Sequence, residues 1–372
     1  MSTGHGTLAG RAVGLILRRV KTARKQGKRG IKLAQNVFRR VRQAEKSLYF
    51  RLRDSEAGRI LLKAAGVARA PRDTRQRSQA AASYIARLRA PGPIIDPRRG
   101  YALLSPDALD GFAEVLPVAR RVFERKKAEI EAQLAGYTAW TPEQRQKFLT
   151  RKQSFLRYLL DDGDLRENPE LVDFALNDAM LGSATRYLRM VPHLTRVDLM
   201  YSLPRAAGNN IESQLFHLDH EGLSQVKHFV HLFEVGEREG PFTFIPADAT
   251  SRIVREVRAL RRSRRSGSDI ELRRYSDEEI AAVGGTSDIV TVTGPVGAGV
   301  AVDTSRCLHL GSRVDPGSFR LCLYLQYCTT HEITNVYDVN RFKGDPVKYL
   351  AVRDSVASGR SAATDYYNEI TN

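Results

Sequence analysis

Cysteine is scarce in this chain, and its three copies, Cys307, Cys322 and Cys328, are odd in number and form no C-x-x-C pair. That excludes a disulfide framework and a cysteine-type zinc site, and it suits a reducing, cytoplasmic compartment. Long apolar runs are also missing: no stretch approaches the ~20 residues a membrane-spanning helix needs. The short apolar patch Ala12–Leu17 is followed by Arg and Lys rather than by a small-residue cleavage site, so it reads as the first turns of a helix and not as a signal peptide. Acidic residues are almost absent from the first 90 positions, which hold 23 Lys+Arg and 4 Asp+Glu, an excess of +19. The whole chain carries +17, so the remainder sits at −2. The high pI therefore belongs to one segment, which marks a division of the chain.

Apolar residues make up 42% of the 372, enough for a proper core and against wholesale disorder. Residues 1–90 read as a basic, mainly helical extension and linker, and 91–372 as one large catalytic domain. Within 7–69, Leu33, Val37, Val41, Leu48 and Leu52 recur at helical spacings, with Arg and Lys on the other faces. Two readings stand: an electrostatic handle for an acidic partner or membrane surface, and a solvated helical extension. Neither an aromatic stacking set nor a zinc-finger spacing accompanies the charge, which gives specific nucleic-acid recognition little support. Residues 70–100, rich in Pro, Gly and charge, read as a linker with a short helix inside. Ser105 is the expected N-cap of the next helix, with Pro106 at its first position, and a second helical stretch is expected over 142–190.

After Pro192 the texture changes to short β-rich runs separated by Gly and Pro: "TRVDLMYSLP", "QVKHFVHLFEV", "GPFTFIPA", "DIVTVTG", "GAGVAVDTS" and "FRLCLYLQYCT". Helices followed by many short strands predict an α+β fold with a β-sandwich or barrel core at about 195–330. An insert at about 251–285 interrupts it. Nine arginines fall between Arg252 and Arg274, in what reads as a solvated loop or a lid on the substrate side. Ser276 and Glu279 have the S-x-x-E spacing of a capping box, which starts a short helix there.

The chemistry concentrates in this half. His217 and Asp219 are two apart, so in extended chain both face one ion. His309, at the end of the apparent strand "GAGVAVDTSRCLH", can supply a third ligand. Two His and one carboxylate form the facial set of non-haem Fe(II) oxygenases, with positions left for a bidentate cosubstrate and O2. Arg320 lies eleven residues after His309. Alternation sets Arg320, Cys322, Tyr324 and Gln326 on one face of that strand and Phe319, Leu321, Leu323 and Leu325 on the other. A lone Arg among uncharged strand residues needs an anion, which a dicarboxylate would provide.

This order, HxD, then "GPFTFIP", then "DTSRCLHLGS" and an Arg eleven residues after the His, resembles the phytanoyl-CoA dioxygenase-like branch of the Fe(II)/2-oxoglutarate-dependent oxygenases. The likeness runs from about 150 to 330. It implies a double-stranded β-helix (jelly-roll, cupin-like) with helices packed on one side. It also implies Fe(II) on His217, Asp219 and His309, 2-oxoglutarate held by Arg320, O2 as co-reactant, and a small-molecule or acyl substrate. Hydroxylation is the implied outcome, because related halogenases replace the carboxylate that here is Asp219. Where many relatives have Pro-Gly-Ser-His this chain has "PADAT", and Cys322 stands where many have Ser or Thr.

Cys322, Tyr324, Lys227 and His231 are the further candidates for the cosubstrate or substrate pocket. His228 and His231 are three apart and so point to opposite faces, His231 sharing the parity of Lys227, Phe229 and Phe233. His220 reads as a surface-loop residue, and Glu221 and Glu234 as exposed charges. The rival reading is a β-barrel binding protein without catalysis that acts through its basic arm. The complete ligand set with Arg320 separates the two.

Overall fold

The computed structural model describes residues 58, 61, 70–88, 92–135, 141, 143–144, 152–204, 210–219, 221, 224–263, 273–329 and 333–353. The chain divides into two compact units, Met1–Leu62 and Lys63–Asn372, and every described residue from 70 onward belongs to the second. The basic helices expected over 7–69, with their acidic partner or membrane surface, fall outside the described residues apart from isolated positions, as does His220. No helix among the described residues is long and apolar enough to cross a membrane.

The expected linker is instead a 17-residue helix, α1 (Pro71–Arg87), with Pro71 in its first turn. Its buried stripe is Asp73, Arg77, Ala81 and Tyr84. Half of that stripe is charged, which hid it from an apolar period. Arg77 is fully buried. Its Nε donates to Asp73 at 2.9 Å, and its guanidinium reaches the carbonyls of Val191 and Arg353. Arg353 closes the loop on Asp73 at 3.1 Å. One buried ion-pair network thus ties α1 to the start of the β-rich half and to the last described turn.

Strand β1 (Tyr101–Leu104) precedes a separate 3-10 turn, Pro106–Ala108. Ser105 makes no cap there, and the long helix α2 starts later, at Phe112, and runs to Ala135. The expected helix over 142–190 is broken. It contains strand β2 (Leu156–Tyr158), then α3 (Asp162–Glu167), α4 (Glu170–Ala175) and α5 (Met180–Leu188). Asp161 starts α3 with a capping box to Asp164, and Arg189 ends α5 in the left-handed region at φ 60°.

Then come β3 (His193–Ser202), β4 (Gln225–His231) and β5 (Phe242–Ile245). The arginine-rich insert opens as a helix, not a loop: α6 (Ala247–Ser263) buries Ile253, Val254 and Val257 and leaves Arg255 and Arg262 in solvent. The capping box at Ser276 starts α7 (Asp277–Ala282), as its spacing requires. Strands β6 (Val290–Val292), β7 (Gly299–Val302), β8 (Leu308–Leu310) and β9 (Arg320–Cys328) and helix α8 (Pro346–Val352) complete the unit. The run "GAGVAVDTSRCLH" is therefore two strands, and the turn at Thr304–Arg306 carries the chain from one sheet to the other.

The strands form two antiparallel sheets, β1-β7-β4-β9-β3-β2 and β6-β5-β8. In β9 both faces are buried over its whole length. Leu321, Leu323 and Leu325 join the large core shared with the helices, whereas Tyr324 joins Phe229, Phe242 and Phe244 in a second core between the sheets. Burial on both sides explains the near-continuous apolar texture of these strands. The β4–β7 pair closes tightly: a Cβ on Gly299 would lie 1.9 Å from the Phe229 carbonyl oxygen, so only glycine fits.

An imidazole intrudes on the helix side of the large sheet. His228 is fully buried, neither ring nitrogen has a partner, and its ring meets Tyr327 edge-on at 5.3 Å. Burial pulls its pKa from 6.5 to about 3. The native state keeps this imidazole neutral while the unfolded chain takes up a proton, so stability falls as pH drops below 6.5 and continues to fall toward 3. His228→Leu is expected to remove about 2 kcal/mol of the loss between pH 7.5 and 5, read from denaturant melts at the two pH values. An identical pH dependence in the variant would refute this.

Candidate metal centre

His217 and His309 are held by the backbone before their side chains are considered. His217 N–H donates to the His309 carbonyl at 2.8 Å, and His309 N–H returns the bond at 2.9 Å. Two residues directly opposed in an antiparallel bridge project to the same side. Their ring centroids are 4.3 Å apart. The next N–H on that face, from Asp219, is fixed to the Thr304 carbonyl at 3.0 Å. The HxD spacing thus does what extended chain predicts.

The three side chains converge. Nε2 of His217 lies 3.5 Å from Oδ1 of Asp219, and Nε2 of His309 lies 3.3 Å from Oδ2. One donor atom from each of the three lies within 4.8 Å of the other two, which no other such group among the described residues achieves. Nδ1 of His217 meets the Leu215 carbonyl at 2.8 Å, and Nδ1 of His309 meets the Cys307 carbonyl at 3.0 Å. A carbonyl only accepts, so each Nδ1 carries a proton, and Nε2 is the ring nitrogen turned toward Asp219. Burial, with His309 beside it, holds the His217 pKa down to about 3. Burial alone would raise the Asp219 carboxyl, but Lys227 and His309 overcome it and hold it well below its usual value. Two imidazole lone pairs and one carboxylate form a donor set that fits Fe(II).

A cleft opens beside this group, enclosing about 450 Å³ when the solvent at its open mouth is included. The paired strands set the residues of that face of the large sheet in rows, Arg196, Gln326 and Lys227; Asp198, Tyr324 and Phe229; Met200, Cys322 and His231; Ser202 and Arg320, of which Lys227, Tyr324, Phe229, Met200 and Arg320 line the cleft. Phe242 from the small sheet stacks on Phe229 at 4.6 Å and faces His309 at 5.4 Å.

Arg320 forms the floor, 1% exposed. It donates to the Gly240 carbonyl at 2.5 Å and reaches Ser202 Oγ at 3.5 Å, while Nε has no partner. No carboxylate pairs with it among the described residues, and burial lowers its pKa. Gly311 leaves room beside it: a Cβ there would lie 3.3 Å from Nη2. A buried guanidinium with an idle N–H toward a cleft is built to meet an anion.

Of the further candidates, Lys227 and Tyr324 line the cleft, whereas Cys322 and His231 face each other behind Arg320 and do not. Burial and the neighbouring Arg320 bring the His231 pKa down to about 4. Lys227 Nζ bonds Asp219 at 2.8 Å and Glu221 at 2.6 Å, and these carboxylates keep the buried ammonium well above its usual value against the pull of burial. Glu221 is thus not the exposed charge its position suggests. Its side chain is 29% exposed and also accepts from Gln326. Glu234 is exposed, as expected. Sequence reasoning missed Tyr158 and Leu156, which line the cleft from β2, a three-residue strand hidden in a helical texture. It also missed Phe242, whose parity with Phe244 on β5 was the available signal.

No family model matches the chain, and no curated protein matches it. Solved structures do resemble it. The non-heme α-ketoglutarate-dependent epimerase SnoN from nogalamycin biosynthesis is 15% identical, over 68% of this chain and 84% of that one, with a TM-score of 0.36. EctD from S. alaskensis, solved with 2-oxoglutarate and 5-hydroxyectoine, is 15% identical over 72% and 93%, at 0.38. AviO1 from Streptomyces viridochromogenes Tue57 is 17% identical over 66% and 94%, at 0.33. At such values the functional assignment rests on this chain's own side chains.

Anaerobic titration with Fe(II), or with Co(II) as a coloured substitute, is expected to saturate near one equivalent. His217→Ala, Asp219→Ala and His309→Ala should each weaken binding at least roughly tenfold. Unchanged affinity in all three would dismiss the centre.

Proposed function

We propose that the chain is an Fe(II)- and 2-oxoglutarate-dependent dioxygenase of the phytanoyl-CoA dioxygenase-like type, on a double-stranded β-helix core, that hydroxylates a small-molecule or acyl substrate. The observation that carries this reading is the pairing of two features across one cleft. The His217–Asp219–His309 donor set lies at one end, and Arg320, buried without a carboxylate, at the other. A structural metal site has no use for the arginine, and a non-catalytic barrel has no use for either.

When bound, Fe(II) with 2-oxoglutarate and O2 supplies the oxidising power, and 2-oxoglutarate leaves as succinate and CO2. The chain's own residues do the rest. His217, Asp219 and His309 hold the metal, their orientation fixed by the backbone bridge and by Nδ1–H bonds to Leu215 and Cys307. Arg320 pairs with the distal carboxylate of 2-oxoglutarate, and Ser202, bonded to Ser312 at 3.0 Å, lies beside its Nη2. Met200, Phe229 and Phe242 keep water from the space between. Lys227 holds Asp219 through Oδ2, the oxygen that also faces His309, and draws Glu221 in with it. Retention of Asp219 leaves no vacancy for a halide, which favours hydroxylation.

Purified protein with Fe(II), ascorbate and 2-oxoglutarate is expected to form succinate. Asp219→Ala or His309→Ala should abolish it, and retained turnover in both would overturn the ligand assignment. Arg320→Met is expected to raise the KM for 2-oxoglutarate about 100-fold, the loss of a buried charge-assisted pair of roughly 3 kcal/mol. Metal affinity should stay as in the parent. An unchanged KM would remove Arg320 from the cosubstrate site.

A further inference from the structure

The outer end of the cleft has a charge balance that the inner end does not explain. Lys152, Tyr158 and Glu221 stand at the lip, where Tyr158 is 39% exposed. The cations and anions there can be matched one by one. Lys227 is committed to Asp219 and Glu221. Asp198 accepts the backbone N–H groups of Leu159 and Leu160 at 2.8 and 3.0 Å, and it lies within electrostatic reach of Arg196 without bonding to it. Two cations have no carboxylate bonded to them directly, although Asp198 and Glu221 act on Arg196 from a distance. The Arg196 guanidinium lies 4.6 Å from the Tyr158 ring centroid, and Lys152 Nζ lies 5.7 Å from the same centroid. Neither makes an ion pair among the described residues.

Position places both cations toward the lip. Arg196 is opposite Gln326 in the row of the large sheet that also holds Lys227, next to the row of Gln225 and Cys328 that ends the sheet on this side. Gln326 accepts from Tyr324 and donates to Glu221, so it already has partners of its own. Tyr158 and Tyr324 are 5.7 Å apart, and Phe229 follows at 5.4 Å from Tyr324. An apolar, aromatic wall therefore runs inward from two unpaired cations toward the metal ligands. A half-buried guanidinium held on a ring face keeps its N–H edge free for a carboxylate or phosphate.

We propose that the lip of the cleft, through Arg196 and Lys152 around Tyr158, recognises an anionic group on a substrate whose apolar body lies along Tyr158 and Tyr324. The group is a carboxylate or a phosphate monoester. The inference rests on the oxygenase reading, because that reading assigns the inner end to 2-oxoglutarate and leaves the outer end for substrate.

The test uses the full chain loaded with Fe(II) and saturating 2-oxoglutarate, without O2. Phenylacetate, phenyl phosphate, methyl phenylacetate and phenethylamine are titrated by calorimetry. The anions are expected to bind about tenfold or more tightly than the neutral ester and the amine. Arg196→Gln and Lys152→Met should each weaken anion binding at least roughly fivefold, and Arg196→Lys should restore part of it. Phenylacetate against phenyl phosphate distinguishes the two anion sources. Lys152→Met, at an exposed position, keeps the result decisive if Arg196→Gln does not fold. Ester or amine binding as well as the anions, no anion binding, or anion affinity unchanged in both charge-removing variants overturns the proposal. Failure of the parent protein to take up Fe(II) or 2-oxoglutarate before any probe is added overturns the oxygenase reading instead.

Discussion

The two-way backbone bridge between His217 and His309 is the constraint on which the rest of the site depends. It joins residues 92 apart in sequence into one directly opposed pair, so their imidazoles project to the same side, with centroids 4.3 Å apart. Asp219 follows two residues later on the same face, and its own N–H is fixed to Thr304, at the turn that carries the chain between the sheets. Three ligands are therefore placed by three backbone hydrogen bonds, and their side chains are then oriented by the Nδ1–H bonds of both imidazoles and by Lys227 on Asp219. Such a site is pre-organised: no loop has to close and no rotamer entropy has to be surrendered at the moment of metal binding.

Electrostatics runs against stability at the same place. Arg320 is a desolvated guanidinium held only by a carbonyl and a distant hydroxyl, an arrangement that costs stability until an anion arrives. Lys227 is the contrasting case, a buried ammonium with two carboxylates on it. Arg77 is a third, fully buried and satisfied by Asp73 and backbone carbonyls. The chain can satisfy a buried cation when structure is the purpose. Arg320 is left unsatisfied at the end of a cleft, and this difference points to ligand binding rather than to packing.

Much of this was legible in the sequence, and the failures have definite causes. The six β-rich runs after Pro192 all contain strands: most are buried on two faces and leave a dense apolar signature, and β6 alternates Val with an exposed Thr. The capping box at Ser276 was legible because it is a local hydrogen-bond pattern. Helix α1 was not, because its inner stripe is built from an ion pair. Strand β2 was not, because three residues are too few to show a period. Glu221 was misread because its burial comes from Lys227 and Gln326, the latter 105 residues away, a pairing no local pattern encodes.

Strand β9 shows why the site and the core could be read from the same nine residues. Its odd positions, Leu321, Leu323 and Leu325, fill the core under the helices, and its even positions face the cleft side. A shift of one residue would bring three leucines into the cleft and drive Arg320 into an apolar core. Folding in the wrong register is therefore penalised twice, by lost burial and by a charge stranded in hydrocarbon. The residue that binds an anion in the native state thus also helps to specify the strand that carries it, and the stability it costs is offset in part by the registers it excludes.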